Sequence, residues 1–385
     1  MIRSVAGLYI LMISLSLLLT GCWDIREVQD INYISAIGVD YKDGEYIIYA
    51  QMLDFSSVAK QEGGGASQEI PVWVGKGRGK NLADALLDIY KTNQQYLSWG
   101  QVTALVLTES VLEPERMEQV FDITNRSEEI RYTKWVYGTH GELKDLFTTT
   151  PFFKLSPLHS LLHEPMESYK QLSFIRPTQF NDFIIHYREK AATAVLPTLS
   201  ITSANWSEDM RQHPILEIDG AFLIKNKESK GWKKRKELLG IRWLADRNTQ
   251  APVIVGPHDD PVGSVMLQQP RFTVELIPTK DGMKYGIKIK AHGMVQSIYK
   301  KVEVAELQKL TEDSLRDELL STFRSAVAIG ADPYQLSLIL FQRNNKIWKQ
   351  FQDNGTTLTE NSLDKENIDV NIDLRFWGQR KDNVR

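Results

Sequence analysis

The sequence predicts an α+β fold of more than one domain, with mostly antiparallel or mixed sheets built from hairpins and with helices packed on them. Two turn signals support this prediction, because Asp43-Gly44 and Asp281-Gly282 each separate two runs of strand-forming residues. Asp-Gly favours a tight hairpin since glycine tolerates positive φ. The helical segments do not alternate regularly with strands, so a doubly wound parallel sheet is not expected.

Strands are predicted where apolar residues form short runs or alternate with polar residues. From Ile368 to Phe376 every second residue is apolar, which predicts a strand with one buried face and one solvent-exposed face. The predicted strands cover residues 34–41, 46–54, 220–224, 272–277, 284–290 and 368–376.

Helices are predicted from apolar residues at helical spacing and from capping residues at their ends. Asn81 can cap a helix that runs to about residue 96, and Asp332 can cap a shorter helix through Leu340 with Pro333 at its first position. Pro114 and Pro177 occupy positions where first-turn prolines are tolerated. The other predicted helices cover residues 115–124, 178–191 and 304–328, the last being the longest.

The N-terminus predicts a lipoprotein signal peptide over residues 1–21. A short positive start, Met1-Ile2-Arg3, precedes an apolar stretch from Val5 to Leu19 that is too short to span a bilayer comfortably. Leu19-Thr20-Gly21-Cys22 resembles the lipobox of bacterial lipoproteins, in which cleavage precedes a cysteine that carries diacylglycerol. A thiolate is the nucleophile that this alkylation requires. Because two acyl chains anchor a protein durably, we expect lipidation at Cys22 to tether the mature chain to a membrane.

The 364 residues that follow the signal exceed the size of one small core. We predict an N-terminal α+β domain over residues 22–200, which is long enough to divide into two, and a C-terminal α+β domain over residues 205–385. The segment between them, residues 198–213, is polar and rich in turn-forming residues, as domain boundaries often are.

Composition narrows the functional classes. The net charge of −3 becomes −4 when Arg3 leaves with the signal, so no global basic field favours nucleic acid. Cys22 is the only cysteine, which leaves no intrachain disulfide to stabilise an exported body. No second apolar run approaches membrane-spanning length, so the segment after Cys22 is expected to be a water-soluble body at a membrane face.

Motifs for metal and phosphate binding are weak. His159 and His163 lie one helical turn apart but lack the glutamate of a zinc-protease motif, and no third ligand is near in sequence. The glycines at positions 75, 77 and 79 alternate with basic residues where a strand meets a helix, yet their spacing matches neither a P-loop nor a dinucleotide fingerprint. We therefore predict no metal, no cofactor and a solvated connection at the glycines.

Motifs for catalysis are equally weak. Ser57-Val-Ala-Lys60, Ser203-Ala-Asn205 and Lys280-Asp-Gly282 follow the order used by penicillin-binding enzymes, but Lys280 falls in a predicted turn instead of on a strand. Asp259-Asp260 lies between two prolines and is predicted to be a turn. These patterns favour a protein that is not an enzyme.

One basic cluster is a candidate contact with a membrane or partner protein. It comprises Lys225, Lys227, Lys230, Lys233, Lys234, Arg235 and Lys236, offset by two glutamates. Lys233, Lys234, Arg235 and Lys236 are its densest part. Such charges would strengthen binding to anionic headgroups by about 1 kcal/mol each, or would suit an acidic partner surface. A solvated hairpin whose lysines discourage edge pairing is the third interpretation.

Several segments resemble one known family. Cys22-Trp23-Asp24, Arg26-Glu27 and Ala36-Ile37-Gly38-Val39-Asp40 resemble the start of the Ger(x)C family, the lipoprotein C subunits of bacterial spore nutrient-germinant receptors. Similar segments continue in order along nearly the whole chain after the signal. They are Arg126-Ser-Glu-Glu-Ile-Arg131, Gly220-Ala-Phe222, Gly240-Ile-Arg-Trp243-Leu244, Gly330-Ala-Asp332 and Trp348.

The resemblance implies a non-enzymatic subunit that supports assembly or signalling of a germinant receptor. Its partners would be an A subunit with membrane and soluble parts and a B subunit resembling an amino-acid transporter. Its location would be the outer face of the spore inner membrane. The alternatives are a solute-binding lipoprotein of a transporter, which usually has two α/β lobes around a cleft, and a lipid-anchored wall hydrolase.

Overall fold

The computed structural model of the chain describes residues 12, 30–62, 70–245, 249–257, 259–279, 282–353 and 358–375. The strands in these residues are β1 Ile31–Lys42, β2 Glu45–Leu53, β3 Val72–Gly79, β4 Tyr96–Ser98, β5 Ala104–Thr108, β6 Trp135–Thr139, β7 Thr178–Gln179, β8 Thr193–Thr202, β9 Ser207–Glu208, β10 Arg211–Gln212, β11 Ile215–Lys225, β12 Glu228–Lys234, β13 Gln250–Val255, β14 Gly263–Thr279, β15 Gly282–Ile298 and β16 Ile368–Arg375. The α-helices are α1 Phe55–Glu62, α2 Leu82–Tyr90, α3 Pro114–Arg126, α4 Leu143–Thr148, α5 Pro165–Gln171, α6 Phe180–Arg188, α7 Val304–Val327, α8 Leu336–Arg343 and α9 Asn345–Asp353.

The strands form two main sheets, and the predicted α+β class is confirmed. The large sheet has the order β12-β11-β8-β6-β5-β1-β2-β3, with β4 beside β1 and β7 beside β6, and the small sheet has the order β13-β14-β15-β16. The predicted hairpins are present as β1–β2 and β14–β15. The parallel pairs β1–β5, β5–β6 and β6–β8 at the centre of the large sheet were not predicted.

The first hairpin turn follows the sequence signal. Asp43 and Gly44 have φ angles of 56° and 78°, the positive values that a tight two-residue turn requires. The second hairpin is longer than predicted, since its strands β14 and β15 have 17 residues each. Lys280 and Asp281 of its turn lie outside the described residues.

Both faces of the large sheet are covered. Ile37 and Val39 of β1 belong to a core that includes Phe121 of α3 and residues of α2 and α6. Ala36, the residue directly before Ile37, belongs to the opposite core with Phe147 of α4. This alternation is the period of a strand buried on both sides, which explains the nearly continuous apolar run in β1.

Close contact between α2 and β3 depends on glycine. A Cβ atom added to Gly77 would lie 2.0 Å from the backbone oxygen of Ala85 and 2.8 Å from a carbon of Ile89. A Cβ added to Gly79 would meet the backbone nitrogen of Ala85 at 2.4 Å. The glycines therefore admit the backbone of α2 onto the strand, so the predicted solvated connection is wrong and Gly77 lies in a buried contact.

The small sheet packs on the long helix α7, whose predicted bounds are confirmed. β16 pairs in parallel with β15, and its side chains alternate between buried and exposed as predicted. The sheet and helix share one core, which includes Val253, Val265, Ile287, Val370, Leu307, Leu315 and Phe323.

The free edge of β16 is covered by side chains of α7. Arg316 donates from Nε to the carbonyl of Ile368 at 3.0 Å and from a terminal nitrogen to that of Val370 at 3.5 Å. Glu312 accepts from the backbone N–H of Ile372 at 3.2 Å. These bonds occupy backbone groups that would otherwise be available to another strand.

Three predicted helices have different bounds because tertiary contacts override local preference. The helix capped by Asn81, whose side chain accepts from the N–H of Asp84, ends at Tyr90 instead of about residue 96, since residues 96–98 pair with β1. The helix after Pro177 begins at Phe180, because the two residues before it pair with β6. The helix attributed to an Asp332 cap begins at Leu336, although that carboxylate does accept from two nearby backbone amides.

The loop that was predicted as a domain boundary joins two neighbouring strands of one sheet. β8 pairs with β11 from Thr202 opposite Ile215 to Thr193 opposite Lys225, and the sheet continues through β12 to Lys234. The predicted division between residues 200 and 205 therefore lies inside the large sheet.

Two sets of hydrogen bonds join the N-terminal part of the chain to the residues that follow β12. Gln335 donates to the carbonyl of Thr193 at 2.6 Å and accepts from its N–H at 3.0 Å, while the hydroxyl of Thr193 accepts from the N–H of Asp332 at 3.0 Å. In the second set, the N–H of Ser173 donates to the carbonyl of Gln250 at 2.9 Å. The hydroxyl of Ser173 accepts from the N–H of Gln250 at 3.2 Å.

A buried ion pair joins the segment between β12 and β13, which contains Arg242, to helix α7. Arg242 is 2% exposed, and one of its terminal nitrogens bonds both carboxylate oxygens of Glu318 on α7, at 3.1 and 3.0 Å. Trp243 donates to the same carboxylate at 2.9 Å. The guanidinium of Arg242 also lies 5.7 Å from the ring centroid of Phe174, which belongs to the N-terminal half.

His163 forms part of a buried polar network between β2, α4 and the start of β5. Its Nε2 lies 2.9 Å from Oε1 of Gln51, and its Nδ1 lies 2.5 Å from the hydroxyl of Thr103. Gln51 in turn donates to the carbonyl of Phe147 at 2.8 Å. Gln51 Oε1 can only accept, so Nε2 carries the proton and a neutral ring suits the site. Burial lowers the pKa of His163 to about 3.

We predict that Gly77→Ala lowers the free energy of unfolding by about 1–3 kcal/mol, the usual cost of overpacking. The physical reason is the 2.0 Å approach of a Cβ at Gly77 to the backbone of α2. The matched control is Gly75→Ala on the same strand, where the added Cβ would make ordinary contacts of 3.7 and 3.8 Å. Urea unfolding measures both, and equal stabilities for the two variants would contradict the close approach of α2.

We predict that His163 makes the fold less stable as the pH falls. An unfolded histidine titrates near pH 6.5, so its contribution is fully present above that pH and is lost as the pH falls toward 3. Between pH 7 and pH 5 the loss is about 2 kcal/mol. Urea unfolding of His163→Gln should show a pH dependence smaller by that amount than urea unfolding of the unmodified chain. An unchanged slope in His163→Gln would refute this.

Candidate interaction surface

The residues predicted to carry the lipid, Leu19, Thr20, Gly21 and Cys22, lie outside the described part of the chain. The continuous described chain begins at Asp30, directly before β1. Lipidation of Cys22 therefore stays a prediction. Among the described helices, none combines the length and the apolarity needed to cross a bilayer.

The residues that resemble metal-binding or catalytic motifs in the sequence make local contacts wherever the structure describes them. His159 faces Glu164 at 3.3 Å, whereas His163 is directed into the buried network described above. Across the described residues, His, Cys, Asp and Glu side chains nowhere form a group of three that could hold a metal. The hydroxyl of Ser57 donates to Asp54 at 2.6 Å. Asp260 lies in a turn, as predicted, where its carboxylate pairs with Lys300.

The basic cluster lies along β11, β12 and the turn that follows, and several of its charges are paired. Lys227 bonds Glu118 of α3 at 2.7 Å, and Lys230 bonds Glu228 at 2.7 Å. Lys225 is only 8% exposed, and burial lowers its pKa while the nearby Asp332 opposes that shift. The cluster is therefore divided between paired side chains and a smaller exposed part.

The four residues singled out in this cluster have different surroundings. Lys233 pairs with Glu237 at 3.5 Å and is largely covered, while Lys234 and Lys236 are exposed. Arg235 lies over the ring of Phe174, 4.9 Å from its centroid. Because β12 is an edge strand of the large sheet, the exposed lysines are also placed where they would discourage edge pairing.

Arg235 borders a groove of about 740 Å³ between the large sheet and the segment containing α5. Apolar and aromatic side chains supply most of its wall. Phe152 contacts the ring of Trp206 edge-on at 5.0 Å, and Phe174 and Ile215 contribute further apolar surface. A guanidinium beside an apolar wall suits contact with another protein, since arginine and aromatic residues are enriched in interfaces.

The rim of this groove exposes large apolar side chains. Trp206 is 56% exposed, and Phe153, whose ring centroid lies 6.1 Å from that of Phe152, is 85% exposed. Phe153 also has a φ of 58°, an uncommon backbone conformation for a bulky residue. Apolar side chains gathered on the surface are typical of interaction sites, so the groove and its rim form the candidate interaction surface.

Sequence patterns did not reveal this surface because its parts are distant in the chain. Phe152 and Phe153 follow α4, whereas Trp206 lies between β8 and β11.

Sequence patterns also missed a buried lysine whose partner is distant in the chain. Nζ of Lys134 lies 3.9 Å from the ring centroid of Phe180, and burial lowers its pKa to about 7.

Comparisons with curated proteins and solved structures agree with this fold. The chain is 23% identical to "Spore germination protein KC" of Bacillus subtilis (strain 168), covering 98% of this chain and 97% of that protein. It is also 23% identical to "Putative spore germination protein YfkR" of the same organism, covering 95% and 92%. A solved structure, "Crystal Structure of the GerBC protein", matches with a TM-score of 0.52 and 13% identity over 92% of this chain and 99% of that one.

Two family models match successive parts of the sequence. One, described as "Spore germination protein N-terminal domain", matches residues 24–201. The other, described as "Spore germination B3/ GerAC like, C-terminal", matches residues 219–375. Because these matches together span most of its length, the chain belongs to the Ger(x)C family of spore germination proteins.

Proposed function

We propose that this chain is a lipid-anchored, non-enzymatic subunit of a spore nutrient-germinant receptor. The observation that carries this proposal is the match of germination-protein models to both halves of the chain. In this role the protein supports assembly or signalling of the membrane complex that triggers germination.

The anchor is proposed from the lipobox at Leu19-Thr20-Gly21-Cys22. A diacylated cysteine holds a protein at the bilayer because each buried CH₂ contributes about 0.8 kcal/mol. The body that follows would then lie on the outer face of the spore inner membrane. Confinement to that plane raises the effective concentration of the subunit beside its partners.

The partners in this proposal are the A and B membrane subunits of the receptor and the lipid bilayer. The exposed apolar rim at Phe153 and Trp206 supports a contact with one of these proteins, since such a surface gains stability when it is covered. The exposed Lys234 and Lys236 remain candidates for contact with acidic groups of a partner or of lipid headgroups.

A non-enzymatic role is supported by the partners of the buried titratable groups. Glu318 is held by Arg242 and Trp243. Burial raises the pKa of Asp332, although backbone amides bonded to the carboxylate oppose this shift. Together with His163, these groups stabilise the fold, and each is already engaged by neighbouring protein atoms.

Deletion of the gene, with and without a plasmid copy, tests the receptor role. Spores that lack the chain should lose or slow their response to at least one nutrient, and the plasmid copy should restore it. Deletion spores that answer every nutrient tested at the normal rate, in a strain without related subunits, would contradict the proposal.

We predict that Cys22→Ser prevents lipid attachment, because a hydroxyl is a much weaker nucleophile than a thiolate. Labelled palmitate should then fail to enter the protein, and most of the chain should leave the pelleted membranes. The unmodified chain serves as the control in the same fractionation. Retention of the variant in the membrane pellet at the normal level would refute the anchor.

We predict that Trp206→Glu weakens binding to a partner subunit about tenfold, as expected for the loss of an aromatic interface residue. Trp73→Glu is the matched control, since Trp73 is 63% exposed on β3, away from the groove. Co-purification from spore membranes measures the effect, with circular dichroism as a check on folding. Equal recovery of partner with both variants would exclude this surface as the contact.

A further inference from the structure

A separate apolar cleft lies between α2 and α3 on one face of the large sheet. Its volume is about 260 Å³. Strands β1 and β2 form its floor and the two helices form its sides. The principal lining residues are Ile37, Ile48, Leu82, Leu86, Val120 and Ile123.

The helices are held apart by their separate attachments to the sheet. The glycines at positions 77 and 79 let α2 settle onto β3 at the edge of the sheet. In contrast, α3 packs through Phe121 against Phe180 and Tyr187 of α6. The cleft between the helices is therefore a consequence of where each helix is fixed.

Ser127, Glu128 and Glu129 also border the cleft, and several of the other polar groups around it are bonded to the protein. The hydroxyl of Thr124 donates within α3 to the carbonyls of Val120 and Phe121, at 2.8 and 3.0 Å. At the mouth, Nε1 of Trp99 donates to the hydroxyl of Tyr90 at 2.8 Å. Apolar cavities accept apolar molecules because water finds few hydrogen-bond partners inside them, and the lower part of this cleft has such a lining.

Hydrogen bonds to Glu129 hold the residues at the mouth of the cleft in place. Glu129 accepts from the N–H of Trp99 at 2.7 Å, from the hydroxyl of Tyr96 at 2.7 Å and from that of Ser98 at 3.2 Å. Burial raises the pKa of Glu129, but these bonds outweigh it and lower the pKa overall, which keeps the carboxylate ionised. Glu129 belongs to the arginine- and acid-rich segment between Arg126 and Arg131.

We propose that this cleft binds a small apolar molecule, about the size of one aromatic ring with a short alkyl substituent. The size follows from the volume, since an apolar cavity of about 150 Å³ accommodates benzene and sites for drug-sized ligands begin at about 300 Å³. Binding here requires no partner subunit and no lipid on Cys22, so it can fail or succeed independently of the receptor role.

Fluorine NMR of fluorobenzene with the full-length chain in lipid nanodiscs tests the proposal. The unmodified chain should shift and broaden the probe signal in a saturable way, beyond that of empty nanodiscs. Leu86→Trp should abolish the saturable part, because Leu86 lines the cleft. Leu87→Trp is the matched control and should bind as the unmodified chain does, since Leu87 is 59% exposed.

A second variant keeps the test decisive if Leu86→Trp does not fold. Ile123→Trp, on the other side of the cleft, should likewise abolish the saturable binding of fluorobenzene. Absence of saturable fluorobenzene binding to the unmodified chain would overturn the proposal. Binding retained in a folded Leu86→Trp protein, as shown by circular dichroism, would do the same.

Discussion

The ion pair between Arg242 and Glu318 is the contact on which the junction between the sheets depends. Both groups are largely removed from water, and leaving one buried charge without its partner costs several kcal/mol. Trp243 completes the carboxylate's bonds, and Phe174 extends the cluster into the N-terminal half. Because Phe174 also contacts Arg235 beside the groove, this cluster connects the buried pair with the candidate interaction surface.

Local signals were sufficient for the elements whose partners are close in sequence. Asp43-Gly44 specifies its hairpin, and the apolar stripe of α7 gives that helix nearly its full length. Elements with distant partners were placed less well. Tyr96 continues the helical spacing of α2 but pairs with β1. The parallel centre of the large sheet likewise depends on pairings that no short window of sequence contains.

The candidate sites likewise depend on residues that are distant in the sequence. In the sequence, His163 resembles one member of a metal-binding histidine pair. In the structure its hydrogen-bond partners are a glutamine of β2 and a threonine at the start of β5. The alternating glycines look like a phosphate loop, but the backbone that approaches them belongs to α2. The rim at Phe153 and Trp206 joins loops from separate segments, so only the folded chain reveals it.

The covered edge of β16 has a consequence for crowding. Arg316 and Glu312 occupy the outward backbone groups between Ile368 and Ile372, so a neighbouring molecule cannot extend the small sheet there. When many copies are packed side by side, intermolecular β-ladders cannot start along this stretch. Copies of the protein can then be concentrated without polymerising through the edge of β16. Each molecule keeps its other surfaces available for selective, reversible association.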